Sequence, residues 1–149
     1  MSRMPPLRAF RATAYEAAGH GATGHGATGH GATGAVARIG RRSPAVDALL
    51  ARHGVRQAGF VTAWNPLSRR MPPGWNRRMQ HALRQAARGL VLAEGFGKAG
   101  GWAEHHLLLE GDPRRLAVLA RRFRQWAIVT VAPRQPARLR LAVQPPRAG

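Results

Sequence analysis

The chain has 149 residues, 44% of them apolar, no cysteine, and 24 basic against 6 acidic side chains, for a formal net charge of +18. That length holds one domain with one core, the apolar fraction excludes a disordered polyelectrolyte, and the lack of cysteine excludes disulfides, thiol nucleophiles and thiolate metal sites. No apolar run reaches the roughly 20 residues that cross a bilayer, so no membrane partner is expected, and the absence of a secretory signal predicts a cytoplasmic protein.

In chain order, residues 1–9 read as a flexible N-terminus in which Met4-Pro5-Pro6 breaks any amphipathic helix. A strand is predicted over Phe10–Tyr15, where Phe10, Ala12 and Ala14 alternate with Arg11, Thr13 and Tyr15. Residues 19–34 hold Gly-His-Gly-Ala-Thr three times, closed by Gly34. A unit that short has no apolar face to stack, so the repeat reads as a loop at the tip of a hairpin that Val36–Ile39 completes. Ser43 and Pro44 open a helix with Val46, Leu49 and Leu50 inward, and Gly54 ends it.

A strand at Gly59–Trp64 precedes a helix over about Trp75–Arg88, with Met79, Leu83 and Ala86 inward and Arg77, His81, Arg84 and Arg88 along another stripe. Strands follow at Leu90–Ala93 and His105–Leu109 across a Gly-rich link, Gly95–Gly101. Asp112 and Pro113 start a third helix carrying Leu116, Leu119, Ala120 and Phe123, and strands at Ala127–Val131 and Arg138–Val143 complete the chain before a flexible tail, 144–149. The order ββαβαββαββ predicts one α+β domain over 10–143, a two-layer sandwich with about three helices on one face of a mainly antiparallel sheet.

The run Thr62-Ala63-Trp64-Asn65-Pro66, then Asn76, Glu94-Gly95-Phe96-Gly97, Trp102-Ala103-Glu104 and Phe123-Arg124-Gln125-Trp126-Ala127-Ile128, resembles a bacterial family known as domain of unknown function 3293. The resemblance runs from about Arg11 to Val143 and implies a cytoplasmic single-domain protein, without an activity, substrate or catalytic residue. The chain departs from the family's usual pattern in its histidine repeat, in His105-His106 and in Trp126.

Polar residues concentrate at element ends, where folds display sites. If the strands flanking Gly95–Gly101 form a hairpin, Glu94 and Glu104 are expected to face each other as a candidate acid and base. Asn65, Asn76 and Gln125 would supply hydrogen bonds and Trp64 and Trp102 apolar walls for a small ligand. The bland alternative makes the tryptophans core residues, the asparagines turn and cap residues, and Glu104 the partner of an arginine. Whether the chain is an enzyme stays open.

No metal or cofactor is expected. His20, His25 and His30 recur every five residues without a carboxylate among them, a compositional tract rather than a ligand set. His105-His106 sits between Glu104 and Glu110, but neighbours on a strand point to opposite faces, which leaves one histidine facing solvent. Gly95–Gly101 lacks the lysine and helix of a phosphate loop. The arginine doublets Arg69-Arg70, Arg77-Arg78, Arg114-Arg115 and Arg121-Arg122 make nucleic acid or another polyanion the candidate partner. A composition biased toward Ala, Arg, Gly and Pro explains arginine in place of lysine, yet not the scarcity of carboxylates that leaves the charge unbalanced.

Overall fold

The computed structural model describes residues 4–19 and 34–143. Most of the histidine repeat and the whole 144–149 tail read from the sequence lie outside them. The described elements are α1 (Leu7–Ala12), β1 (Ala14–Gly19), β2 (Ala35–Ala37), α2 (Pro44–His53), β3 (Ala58–Val61), a 3-10 turn (Pro66–Ser68), α3 (Pro73–Ala86), β4 (Val91–Ala99), β5 (Trp102–Glu110), α4 (Pro113–Arg122), β6 (Ala127–Val131) and β7 (Arg138–Leu141). All seven strands join one sheet in the order β2-β1-β4-β5-β3-β6-β7, with antiparallel neighbours throughout. The α+β class stands as read, and so does the element order apart from an added helix, α1, at its start.

Local chemistry sets the helix ends. Ser43 Oγ accepts from the Val46 N–H at 3.3 Å, and Gly54 takes φ 64° to close α2. At α4, Asp112 Oδ1 accepts from the Arg114 N–H at 2.7 Å.

The first element departs from its expectation. Phe10–Ala12 lie in α1, and the strand begins only at Ala14. Pro5-Pro6 opens the helix instead of breaking it: a proline needs no N–H there, and the Pro6 carbonyl accepts from the Phe10 N–H at 3.2 Å. Thr13 Oγ1 closes it on the Ala9 carbonyl at 2.6 Å.

The Gly-rich link is another correction, since β4 continues through Ala99 and β5 starts at Trp102, leaving Gly100-Gly101 as the turn. Gly95 and Gly97 are strand residues chosen for close approach. A Cβ on Gly95 would collide with the Glu16 backbone carbonyl of β1, and one on Gly97 would lie 2.9 Å from the His106 ring.

Two apolar clusters occupy opposite faces of the sheet. One gathers Tyr15, Phe60, Leu108 and Val129 with Val46, Leu49 and Leu50 of α2. The other gathers Val61, Leu107, Leu109 and Ile128 with Leu83 of α3 and Leu116, Ala117 and Ala120 of α4. The run Leu107-Leu108-Leu109 is fully buried because consecutive strand residues alternate between two covered faces, each leucine contributing about 2 kcal/mol of apolar burial. Helices therefore cover both faces, α3 and α4 one and α2 the other, so the single helical layer expected from the sequence is corrected to two. Helical periodicity marks which side of a helix is buried and says nothing of which face of the sheet receives it.

The sheet also curls. The segments after β2 and before β7, at opposite ends of the strand order, meet in a parallel bridge between Ile39 and Ala137. The Gly40 N–H donates to the Ala137 carbonyl at 2.8 Å, and the Ala137 N–H donates to the Arg41 carbonyl at 3.0 Å. The face carrying Tyr15 and Phe60 is the inner one, since one cavity touches residues of β1, β4, β5, β3, β6 and β7 there.

Candidate functional site

The inner face opens into a cavity of about 260 Å³, floored by Phe60, Val129 and Leu139 and covered on one side by Pro6, Ala9 and Phe10 at α1. The antiparallel register determines which side chains enter it. Tyr15 stands opposite Gly97, and Gly97 opposite Glu104, so these positions share the inner face with His106 two residues on. Glycine at position 97 leaves the space that the His106 ring and the Thr13 methyl fill.

Glu104, His106 and Tyr15 are the ionisable groups that line the cavity. The Asn65 side-chain amide donates to Glu104 Oε2 at 3.2 Å. Burial pushes the Glu104 carboxyl pKa up, against hydrogen bonds from Trp102 and Asn65 that favour the carboxylate. His106 is buried, and loss of hydration drives its pKa down to about 4, opposed by its hydrogen bond to the Glu104 backbone. Its Nδ1 lies 3.0 Å from the Glu104 carbonyl oxygen. A carbonyl only accepts, so Nδ1 carries the proton and Nε2 of the neutral ring keeps its lone pair. Tyr15 packs edge-on against this ring at 5.3 Å, and burial raises its phenol pKa further. The site thus sets a neutral imidazole beside a carboxyl that resists ionisation, within walls that are otherwise mainly apolar.

Asn65 is held by a second asparagine. Its backbone N–H donates to Asn76 Oδ1 at 3.0 Å, Asn76 Nδ2 returns a bond to Asn65 Oδ1 at 3.0 Å, and the Met71 N–H donates to the same oxygen at 2.9 Å. Two backbone donors therefore determine which end of each amide is oxygen and leave Asn65 Nδ2 for Glu104. Asn65 sits at φ 47°, a left-handed conformation that asparagine tolerates better than most residues.

The residues singled out from the sequence divide. Asn65, Trp102, Glu104 and Gln125 line the cavity. Asn76 is buried behind Asn65 as its brace. Gln125 Nε2 donates to the Trp64 and Phe123 carbonyls at 3.0 and 3.2 Å, so this amide group ties backbone together. Trp64 and Glu94 stand elsewhere. Glu94 pairs with Leu107 and Glu104 with Gly97 in the hairpin, which sends the two carboxylates to opposite faces. Glu94 is ion-paired with Arg84 of α3 on the outer face, so the expected pair of facing glutamates does not exist.

The acid's companion in the cavity is His106, which the sequence reading passed over with His105 because one of the two was assigned to solvent. Neither is. His105 is half-buried on the outer face, where Gln80 Nε2 donates to its Nδ1 at 3.0 Å and Glu94 Oε1 lies 3.9 Å from its Nε2. Burial lowers the His105 pKa, against the pull of Glu94. The overlooked signal was the i, i+2 spacing of Glu104 and His106 on one strand. Gln80, also overlooked, locks this side: its Oε1 accepts from the Ala63 N–H at 2.8 Å.

The doublets scatter as well. Arg70 lies over the Trp102 ring at 5.0 Å, Arg77 and Arg78 are exposed on α3, and Arg114, Arg115, Arg121 and Arg122 are exposed on α4. Arg121 Nε also donates to the Ala142 carbonyl at 2.9 Å. Arg69 is exposed just after the 3-10 turn.

The model of a protein family of unknown function (DUF3293) matches residues 61–128. The family resemblance is shown over that span, shorter than the Arg11–Val143 stretch expected from the motifs. It contains Asn65, Asn76, Trp102, Glu104, His106 and Gln125. No curated protein and no solved structure matches the chain.

Proposed function

We propose that the inner cavity binds a small, uncharged, mainly apolar molecule and presents it with a proton donor and a proton acceptor. The observation that carries this is the placement of Glu104 and His106, two residues apart on β5, in one mainly apolar cavity. Binding sites combine this kind of wall with a few convergent polar groups of shifted pKa. When protonated, Glu104 offers an O–H, while the lone pair on His106 Nε2 accepts and Trp102 supplies a flat apolar wall. A ligand bearing one hydroxyl, or a carbonyl beside a donor, satisfies both groups without bringing a charge into the cavity. The same pair is suited to moving a proton across such a ligand, so the site supports an enzyme as well as a binding protein.

The test is a screen of small carbonyl and hydroxyl compounds by ligand-observed NMR, with hits repeated on Glu104→Gln and Ala99→Phe, the latter placing a ring at a cavity-lining position. Binding is expected in the native chain, reduced in Glu104→Gln and abolished in Ala99→Phe. Hits that bind Ala99→Phe as well as the native chain would place the ligand outside the cavity and refute the proposal.

A second reading rests on the outer face. Helices α3 and α4 both pack there, neither contains an acidic residue, and together they carry Arg77, Arg78, Arg84, Arg114, Arg115, Arg121 and Arg122. This concentration favours engagement of a polyanion in a salt-sensitive way. Loss of binding to heparin and to nucleic acid alike at low salt would end this reading.

A further inference from the structure

The stripe Arg77, His81, Arg84 on α3 does not stand alone. It borders a shallow groove of about 340 Å³ on the outer face whose floor is aromatic: Trp64, Phe96 of β4 and His105 of β5. Phe96 is 38% exposed, an unusual position for a phenylalanine in mid-strand. Its ring is fixed by two near-perpendicular contacts, with Trp64 at 6.2 Å and with His105 at 5.3 Å. Trp64 and His105 are tilted against each other at 6.4 Å, which completes the triangle. The carboxylate on this part of the sheet, Glu94, is ion-paired with Arg84.

We infer that this groove is a binding site for single-stranded nucleic acid, in which a base stacks on Phe96 and the flanking phosphates run along the guanidinium groups of α3. The inference rests on the polyanion reading of the outer face and narrows it to one partner. An exposed, braced aromatic ring beside a row of cations is what a single strand requires, because every unpaired base has an apolar face and every linkage a negative charge. A duplex hides its bases in the stack and gains only the charges. An anionic polysaccharide or lipid surface has no aromatic face to meet Phe96. Arg77 lines the groove together with Phe96, while Arg78, the next residue of α3, is exposed outside that lining.

The experiment measures fluorescence anisotropy of a labelled 20-mer of deoxythymidylate, the matching duplex and labelled heparin against the full chain over a salt series. The variants are Phe96→Ala, Phe96→Trp and Arg77→Gln/Arg78→Gln, with thermal melting to confirm that each folds. The single strand is expected to bind more tightly than the duplex at physiological salt. Phe96→Ala should weaken single-strand binding about five- to tenfold and leave the duplex unchanged, Phe96→Trp should preserve it, and the double arginine variant should flatten the salt dependence. If all three polyanions bind and Phe96→Ala alters none of them, the groove is not the site although the basic face is. If none binds even at low salt, the polyanion reading falls and this inference with it.

Discussion

Asn65 and Asn76 hold each other through reciprocal bonds, one from the Asn65 backbone N–H to Asn76 Oδ1 and one from Asn76 Nδ2 to Asn65 Oδ1, both at 3.0 Å. The first pins a left-handed backbone; the second aims the remaining amide at Glu104. Stability and the state of the cavity carboxyl therefore share one pair of side chains.

Asn76→Ala leaves the buried Asn65 N–H unpaired and is expected to cost about 2 kcal/mol in urea denaturation. Asn65→Gly keeps the φ 47° turn without strain but removes the donor to Glu104. In that variant the Glu104 carboxyl should protonate at higher pH than in the native chain, as read by carbon-detected NMR titration. An unchanged Glu104 titration would show that burial alone sets it.

Stability should depend on pH through two histidines and a carboxyl that opposes them. His106 has an ordinary value of 6.5 and a folded value of about 4, so the fold excludes the proton the unfolded chain binds. Its contribution is fully present above pH 6.5 and is lost as pH falls toward 4, a change of about 3 kcal/mol. His105, also lowered by burial, adds in the same direction. Glu104 has the reverse sign: its raised pKa means the fold retains a proton, and stability declines as pH rises above the ordinary 4.5 toward the folded value. Glu104→Gln should steepen the gain in stability between pH 4.5 and 6.5, and His106→Asn should flatten it, in denaturation midpoints measured across that range.

Gly97→Ala places a methyl 2.9 Å from His106 Cε1 and 3.2 Å from the Thr13 methyl. A loss of about 1–3 kcal/mol is expected from overpacking. The displaced imidazole should titrate closer to 6.5 than in the native chain, a shift visible in proton NMR.

The Trp64 Nε1–H is buried with no hydrogen-bond partner among the described residues. Trp64→Phe removes that unsatisfied donor while keeping an aromatic ring against Phe96, so the change in stability should stay within about 1 kcal/mol. A loss as large as a core truncation would show that the indole packs in a way that phenylalanine cannot reproduce.

The fold was legible where punctuation is local. Ser43-Pro44 with Gly54, and Asp112-Pro113, specify helix ends through bonds made within a few residues, and α2 and α4 formed there. It was obscure where tertiary partners decide. Alternation of Arg11, Ala12 and Thr13 suits either period, and the two prolines before α1 start a turn as readily as they stop one. Part of the site was legible too, since Asn65, Trp102, Glu104 and Gln125 do reach one cavity.

The false pairing of Glu94 with Glu104 had a cure in the sequence. Across a two-residue turn at Gly100-Gly101, facing residues carry numbers of opposite parity, so two even-numbered glutamates must point apart. What hid the turn was the crowd of glycines around it. Gly95 and Gly97 serve the Glu16 backbone and the His106 ring, neighbours distant enough in the chain that no local rule reveals them.

The bridge between Ile39 and Ala137 makes the sheet a hoop fastened by a small clasp. Tyr15 and Leu139 belong to strands far apart in the sheet yet wall the same cavity, so its girth depends on how tightly that clasp is shut. A guest too large for the resting chamber could be admitted by slackening the hoop at Gly40 and Ala137, without any lid moving at its mouth. The amide hydrogens of those two residues would then exchange faster in a chain loaded with such a guest than in the empty one, making them gauges of occupancy remote from Glu104.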